Sequence, residues 1–216
     1  MNMPRYTKSR FQPGEATMRH NLAEIEFITE EEYLAREALA DEKHEYLNGF
    51  VYRLHADLIT NMAGASDAHV KVTGNAHYAL KTHLRGSPCS LYMADMRVKI
   101  DSKDKAWFYP DVMVTCDPED RKRSNMKQSP ILVIEVLSPS TQDYDRGGKF
   151  AIYRQLACLR EYVLIDPTQY LIEVFPLNEH RRWELYSFEG AGSIVELTSI
   201  GLRCALTDFY EDVVFT

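Results

Sequence analysis

The chain has 216 residues, which suits one domain with a sizeable core and is short for two. Its 45% hydrophobic and 26% charged residues are typical of a soluble protein, and no run of about 18 apolar residues could cross a bilayer. The net charge of −7 argues against an extended basic surface for non-specific binding to nucleic acid.

The N-terminal segment 1–22 lacks hydrophobic periodicity and is predicted to be a flexible arm, which leaves 23–216 as a single domain. It is basic but has no apolar secretory segment, so we expect a cytoplasmic protein. The four cysteines are widely spaced without a CxxC motif, which suits neither a disulfide framework nor a zinc site. We expect reduced thiols at Cys89, Cys116, Cys158 and Cys204.

Local signals predict the elements of the N-terminal half. Thr29 and Glu32 form a capping box ahead of a short helix. Asn48-Gly49 lies between two strand-like runs and predicts a tight hairpin. Over residues 66–84 an apolar residue recurs every four positions, which predicts an amphipathic helix that packs on a sheet.

The C-terminal half is predicted to be mostly strands. Three runs, LYMADMRVKI, FYPDVMVT and PILVIEVL, are strand-like, and the last is apolar on both faces, as in a central strand. Residues 143–158 predict a helix with Thr141 as a possible N-cap, and the buried strand EYVLID follows. LIEVF, RWELYSF and SIVEL predict an antiparallel extension. The order indicates an α/β protein with a mixed sheet flanked by helices.

Two carboxylates stand out within the strand-like runs. Asp111 follows Pro110 at the head of one strand, and Glu135 lies inside the next run. Adjacent strands are about 4.8 Å apart, so both acids could ligate one ion. With no His or Cys at ligand spacing, we expect a cation that prefers oxygen, such as Mg²⁺. Alternatively, Pro-Asp initiates a strand and Glu135 pairs with a nearby Lys or Arg.

An ordered set of motifs resembles a known family. PDVMV, VIEVLSPST, DRGGKFAIYR and EYVLIDP, with TEEEYL and EYLNG upstream, are similar to the bacterial restriction-endonuclease family of the PD-(D/E)xK superfamily. The similarity runs over about residues 27–170. It implies a restriction-endonuclease-like core, a central mixed sheet flanked by helices, with Asp111 and Glu135 as metal ligands.

The resemblance also implies a catalytic lysine. The superfamily usually carries it two residues after the second acid, where this chain has Leu137. Lys149, on the following helix, matches the lysine of this family and is the candidate replacement; alternatively it forms an i,i+4 ion pair with Asp145. Tyr153 shares its helix face and either lines the cleft or belongs to the core.

Three further residues are possible accessories. Glu45 matches an acid that precedes the hairpin glycine in the family and is either a third ligand or a surface glutamate. His69 falls where family members often have a histidine, although a solvated or helix-capping role is the alternative. Asp95 either supports the metal indirectly or faces solvent.

These residues predict a Mg²⁺-dependent endonuclease that cleaves phosphodiester bonds in DNA, with Mn²⁺ able to substitute. Lys149 would stabilise the transition state. Two alternatives remain: an inactive nucleic-acid-binding or interaction protein, and a metal-dependent phosphohydrolase of a small molecule. Cleavage of both strands of a duplex would favour a homodimer.

Overall fold

The computed structural model describes residues 27–54, 65–139 and 141–215, so the N-terminal arm predicted for 1–22 lies outside the described residues. The α-helices are α1 (Glu30–Glu37), α2 (Asp67–His83), α3 (Pro118–Lys122), α4 (Gln142–Tyr144) and α5 (Phe150–Tyr153). The strands are β1 (His44–Leu47), β2 (Phe50–Arg53), β3 (Ser90–Met93), β4 (Arg97–Asp101), β5 (Lys105–Phe108), β6 (Val112–Thr115), β7 (Met126–Lys127), β8 (Pro130–Val136), β9 (Glu161–Asp166), β10 (Leu171–Pro176), β11 (Tyr186–Glu189), β12 (Ile194–Leu197) and β13 (Leu202–Ala205). Among these helices, none is long and apolar enough to cross a membrane.

The strands of the described residues form two main sheets and a separate hairpin. The five-stranded sheet has the order β2-β1-β5-β4-β7, and the six-stranded sheet has the order β11-β10-β9-β8-β6-β3. β8 and β9 run parallel, whereas β6 and β10 are antiparallel to their neighbours. The mixed α/β architecture predicted from the order of the elements is confirmed.

The local signals of the N-terminal half give the elements they predict. The Thr29 side chain accepts a hydrogen bond from the Glu32 amide, and α1 begins at Glu30. Asn48 and Gly49 both have positive φ, 51° and 95°, which a tight two-residue hairpin turn requires. Ser66 caps α2, which covers the segment predicted as an amphipathic helix.

The six-stranded sheet is buried on both faces. The apolar face of α2 packs on one of them, where Val72 and Leu80 meet Ile134 of β8 in one cluster. The other face shares a core with the five-stranded sheet, in which Phe108 of β5 lies with Val133 of β8. The uninterrupted apolar run of β8 is therefore that of a central strand, as predicted.

Three predicted elements are wrong in extent. LYMADMRVKI is not one strand, because β3 and β4 belong to different sheets and Ala94 at the break has a φ of 50°. FYPDVMVT is likewise divided, because Phe108 ends β5 of the five-stranded sheet and Val112 begins β6 of the six-stranded sheet. The helix predicted for 143–158 ends at Tyr153 and is interrupted by a π-helical turn, Asp145–Lys149. Thr141 precedes it without a side-chain capping bond.

The cysteine prediction is wrong for one pair. Cys89 and Cys116 form a disulfide, whereas Cys158 and Cys204 are free. Their spacing of 27 residues gives no local signal, but the antiparallel register of β3 and β6 places Ser90 opposite Thr115. The next pair outward in that register is Cys89 and Cys116, so the fold brings the two thiols together.

Candidate functional site

Asp111, which immediately precedes β6, lies beside Glu135 of the neighbouring strand β8. The register of β6 and β8 begins with Val112 opposite Ile134, and extending it by one residue sets Asp111 opposite Glu135. The Asp111 amide donates to Glu135 Oε2 at 3.4 Å, and the Val136 amide donates to Asp111 Oδ2 at 2.7 Å. Backbone geometry therefore holds the two carboxylates together.

Lys149 points into this pair. Its Nζ lies 3.0 Å from Glu135 Oε1 and 3.0 Å from Glu45 Oε1, and 3.9 Å from Asp145 Oδ1. The contact with Asp145 is the longest of the three, so Lys149 is not simply the partner of Asp145 in an i,i+4 ion pair. Lys149 thus meets the acids of two sheets, and its side chain is only 5% exposed.

The orientation of Lys149 follows from the π-helical turn Asp145–Lys149. A π-turn inserts one extra residue and rotates the residues that follow around the helix axis. Gly148 permits this turn to close, because a Cβ there would lie 2.8 Å from the Tyr144 ring. The pair of glycines, Gly147-Gly148, within a helical pattern is the sequence signal for this irregularity.

Glu45 reaches the site from β1, in the five-stranded sheet. Its Oε1 accepts hydrogen bonds from both Lys149 Nζ and the Tyr109 amide, each at 3.0 Å. It is buried, so the interpretation as a surface glutamate is wrong. Glu45 therefore contacts Lys149 and the backbone amide of Tyr109, two residues before Asp111.

Tyr153 is both a core and a site residue. Its hydroxyl donates to Glu135 Oε1 at 3.2 Å, while its ring packs edge-on against Phe108. Asp95, in contrast, is on the surface: its side chain is 85% exposed and pairs with Lys43. Of the two interpretations of Asp95, the structure supports the solvent-facing one.

His69 meets the acid pair from the first turn of α2. Its Nε2 lies 3.4 Å from Asp111 Oδ2, and it is buried. No histidine lies near the two acids in sequence, but the fold brings His69 of α2 beside Asp111. The alternative of a solvated histidine is excluded by the same burial.

Leu137, at the usual lysine position, lies in the apolar cluster between the two sheets, with Phe150. A lysine there would be surrounded by hydrocarbon. The amine of Lys149 instead approaches Glu135 from the following helical segment. The lysine of the site therefore comes from position 149 and not from position 137.

Burial and charge set the pKa values of the site. Burial raises the pKa of Glu135 well above its usual range, despite the attraction of Lys149. Burial alone would also raise the pKa of Asp111, but hydrogen bonds and charge from His69 lower it below its usual value. Desolvation alone would lower the pKa of Lys149, and the nearby charges of Glu135 and Glu45 raise it instead.

The cluster has more acids than bases. Its buried carboxyl groups are Glu45, Asp111, Glu135 and Asp145. They face two cationic partners, Lys149 and His69. Four acids against two bases leave a surplus of negative charge in a region of low dielectric, which favours uptake of a cation or a proton.

Within the described ranges, no group of three or more His, Cys, Asp or Glu side chains could hold a metal ion, so a divalent cation here would depend on the two carboxylates and on water. Glu135 Oε1 is engaged by Lys149 and Tyr153, while Oε2 faces Asp111. Carboxylate oxygens are the ligands that Mg²⁺ and Mn²⁺ prefer. Asp111 and Glu135 are therefore the residues that would hold such an ion.

The fold and this site define a restriction-endonuclease-like α/β protein. A crystal structure from Anabaena variabilis, described as "a putative nuclease belonging to DUF820", is similar with a TM-score of 0.67 at 16% identity, covering 87% of this chain and 99% of that chain. A family model described as "Putative restriction endonuclease" matches residues 30–207. The chain belongs to this family, Uma2.

Two curated relatives come from Synechocystis. The uncharacterized protein slr1290 is 36% identical over 188 residues, which cover 87% of this chain and 94% of the relative. The uncharacterized protein sll1609 is 33% identical over 179 residues, which cover 82% of this chain and 96% of the relative. The similarity therefore spans nearly the full length of both relatives.

Proposed function

We propose that this protein is a Mg²⁺-dependent endonuclease that hydrolyses phosphodiester bonds in DNA, with Mn²⁺ able to replace Mg²⁺. The observation that carries the proposal is the juxtaposition of Asp111, just before β6, and Glu135 of β8, with Lys149 Nζ 3.0 Å from Glu135. The Uma2 family and the nuclease-like fold support the same class of reaction.

Each residue has a distinct role in this proposal. Asp111 and Glu135 would hold the ion through their carboxylates. The chemistry that such an ion would supply is activation of a water and neutralisation of charge on the scissile phosphate. Lys149 supplies a fixed positive charge for the transition state, since Glu45 and Glu135 hold its amine in place. Tyr153 orients Glu135 through its hydroxyl.

The orientation of Lys149 argues against the alternative of an inactive binding protein. Loss of chemistry would be supported by a lysine turned away from the acids, whereas Lys149 is directed at them. The other alternative, a phosphohydrolase of small molecules, differs from a nuclease in the substrate that it cleaves.

We also propose a two-fold homodimer for duplex cleavage, which gel filtration with light scattering would test.

The test is cleavage of labelled single- and double-stranded DNA, beside a small phosphodiester such as bis-p-nitrophenyl phosphate, with Mg²⁺ or Mn²⁺. Asp111→Asn and Glu135→Gln should each lower the rate by at least about 100-fold, because each removes a charged ligand. Asp95→Asn is the matched control, since Asp95 lies on the surface, and should keep full activity.

Three results are informative. Activity that survives both substitutions would refute the assignment of the site. Cleavage of the small phosphodiester alone would favour the small-molecule phosphohydrolase. Wild-type protein that binds DNA but cleaves neither substrate would favour the binding protein.

A further inference from the structure

The outer face of α2 carries two exposed apolar side chains on either side of a glycine. The inner face of the helix, with Val72 and Leu80, packs on the six-stranded sheet. On the outer face Val70 is 59% exposed and Tyr78 is 71% exposed, and Gly74 lies midway between them in sequence. Residues four positions apart lie one above the other on a helix, so these three form one stripe. Within the described part of the chain, this stripe is open to solvent.

Gly74 has no steric reason for being glycine within the described part of the chain. A Cβ built at this position would meet nothing within 4 Å, and Gly74 lies near the middle of a helix of 17 residues. Glycine weakens the interior of a helix more than any other residue except proline. Its lack of a side chain does, however, let another backbone approach closely. The glycine therefore suits a helix that packs against a second helix on its outer face.

The charges at the two ends of the stripe match a second copy of the same helix. Asp67 precedes Gly74 by seven residues and Lys81 follows it by seven (74 − 67 and 81 − 74), which is close to two helical turns in each direction. The side chain of Asp67 is 79% exposed, although it also pairs with Lys71 of its own helix, and Lys81 is exposed. Both charges are therefore on the outer face.

Only an antiparallel arrangement makes these charges complementary. A two-fold axis through Gly74 sets each Asp67 opposite the partner's Lys81 and each Val70 opposite the partner's Tyr78. A parallel arrangement in the same register would set like charges opposite each other, which is unfavourable. The stripe is thus complementary to itself, as an interface between identical subunits must be.

We propose that the outer face of α2 is the interface of a two-fold homodimer, in which the α2 helices of two copies pack antiparallel across Gly74. The inference rests on the homodimer included in the proposed function and assigns its interface. Val70 and Tyr78 form the apolar centre, and the charges of Asp67 and Lys81 fix the direction of the two helices. Because His69 in the first turn of α2 contacts Asp111, this packing places the two candidate sites toward opposite ends of the helix pair.

The first experiment measures the mass of the full-length chain by sedimentation equilibrium across the micromolar concentration range. One helix of 17 residues makes a small interface, so the wild type should form a monomer–dimer equilibrium in this range. Gly74→Gln should raise the dissociation constant at least about 30-fold, because its side chain keeps the two helices apart. Glutamine favours a helix more than glycine does, so the variant should keep its circular dichroism spectrum and a cooperative melt.

The matched control is Gly192→Gln. Gly192 lies between β11 and β12, away from α2, and a Cβ there would also meet nothing within 4 Å. This variant should keep the dissociation constant of the wild type.

A charge exchange tests the direction of the helices. Asp67→Lys and Lys81→Asp should each raise the dissociation constant about tenfold, because each replaces two attractive contacts by two repulsive ones. The combined variant should return to within about threefold of the wild type, since the exchanged charges again face opposite charges. Glu179→Lys makes the same change in net charge as Asp67→Lys, at a side chain that is 87% exposed in the loop after β10, and should have no effect.

Each result decides the inference. A wild type that stays monomeric across the range overturns both the interface and the proposed homodimer, and another occupant, such as DNA, would then cover this face. A dimer that Gly74→Gln leaves intact overturns the interface alone. Loss of the dimer in Gly74→Gln without recovery in the charge exchange overturns the antiparallel arrangement. The cleavage assay tests the nuclease chemistry separately, because none of these substitutions removes Asp111, Glu135 or Lys149.

Discussion

At the scale of single residues, the buried cation Lys149 balances acids from two sheets. Removing it would leave Glu45 and Glu135 without their cationic partner. Breaking a buried ion pair from one side typically costs about 3–5 kcal/mol. We therefore expect Lys149→Met to lower the free energy of unfolding by roughly that amount, measured by urea denaturation.

A second substitution separates charge from packing. Adding Glu45→Gln to Lys149→Met should recover part of the loss, because one unpaired acid becomes neutral. Lys71→Met is the control: its pair with Asp67 on α2 is largely exposed, so the change should cost below about 1 kcal/mol. A double variant less stable than the single one would contradict this account.

Glu30 links the start of α1 to the five-stranded sheet. It forms a 2.8 Å ion pair with Lys99 and accepts a hydrogen bond from Trp107 Nε1 at 2.9 Å. Desolvation raises the pKa of Glu30, but the hydrogen bonds from Lys99 and Trp107 and the positive charge of Lys99 outweigh it and lower that pKa below its usual value.

A lowered pKa in the folded state stabilises the protein above the unfolded pKa of Glu30, near 4.5. This stability is lost as the pH falls through the lowered, folded-state pKa. The urea midpoint of the wild type should therefore drop more steeply between pH 6 and pH 3 than that of Glu30→Gln. Parallel curves for the two proteins would exclude this contribution.

At the scale of elements, the π-helical turn Asp145–Lys149 sets the direction of Lys149. A Cβ at residue 148 would lie 2.8 Å from the Tyr144 ring, whereas one at residue 147 would meet nothing within 4 Å. We expect Gly148→Ala to destabilise the fold by about 1–3 kcal/mol through overpacking. Gly147→Ala should be neutral or stabilise by up to about 1 kcal/mol. Equal effects in thermal melts would refute this.

The disulfide Cys89–Cys116 joins β3 to β6, the strand that begins just after Asp111. In the chain-entropy description, closing a loop of 27 residues raises the free energy of unfolding by about 3.5 kcal/mol, because it restricts the unfolded chain. Reductant should lower the unfolding free energy of the wild type by that amount and leave Cys89→Ser/Cys116→Ser unchanged. Thiol titration of the denatured protein should find two thiols before reduction and four after; four before reduction would disprove the bond.

The sequence predicts elements well where the signal is local. The Thr29 cap, the Asn48-Gly49 turn and the four-residue apolar repeat each act within a few residues, and each gives the expected element. The helix predicted after Thr141 was too regular and too long: the adjacent Gly147 and Gly148 signal a local irregularity, and the chain forms a π-helical turn at Asp145–Lys149 before the helix ends at Tyr153.

Contacts between distant residues set the limit of prediction for the site. Asp111 and Glu135 can be paired from sequence because they lie on consecutive candidate strands. The approach of His69 depends on where α2 docks, and the role of Glu45 depends on the second sheet. Neither the disulfide nor these contacts leaves a pattern in the spacing of the residues.

At the scale of the whole molecule, the two main sheets share a core and a polar bridge. Phe108 of the five-stranded sheet packs edge-on against Tyr153, and Glu45 binds Lys149 across the same boundary. The site therefore exists only when both sheets are folded and docked. This coupling supports the prediction of a single domain, for which one cooperative transition is expected.

The two tryptophans of the chain allow this coupling to be measured. Trp107 lies in the cluster with Tyr33 and Tyr46 on the five-stranded sheet, whereas Trp183 packs against Phe150 beside the six-stranded sheet. In Trp183→Phe the fluorescence reports the first sheet, and in Trp107→Phe it reports the second. Each fluorescence transition in urea should coincide with the circular dichroism transition of the same variant. A midpoint that differs between the two probes would show that the sheets unfold separately, and the single-domain prediction would then fail.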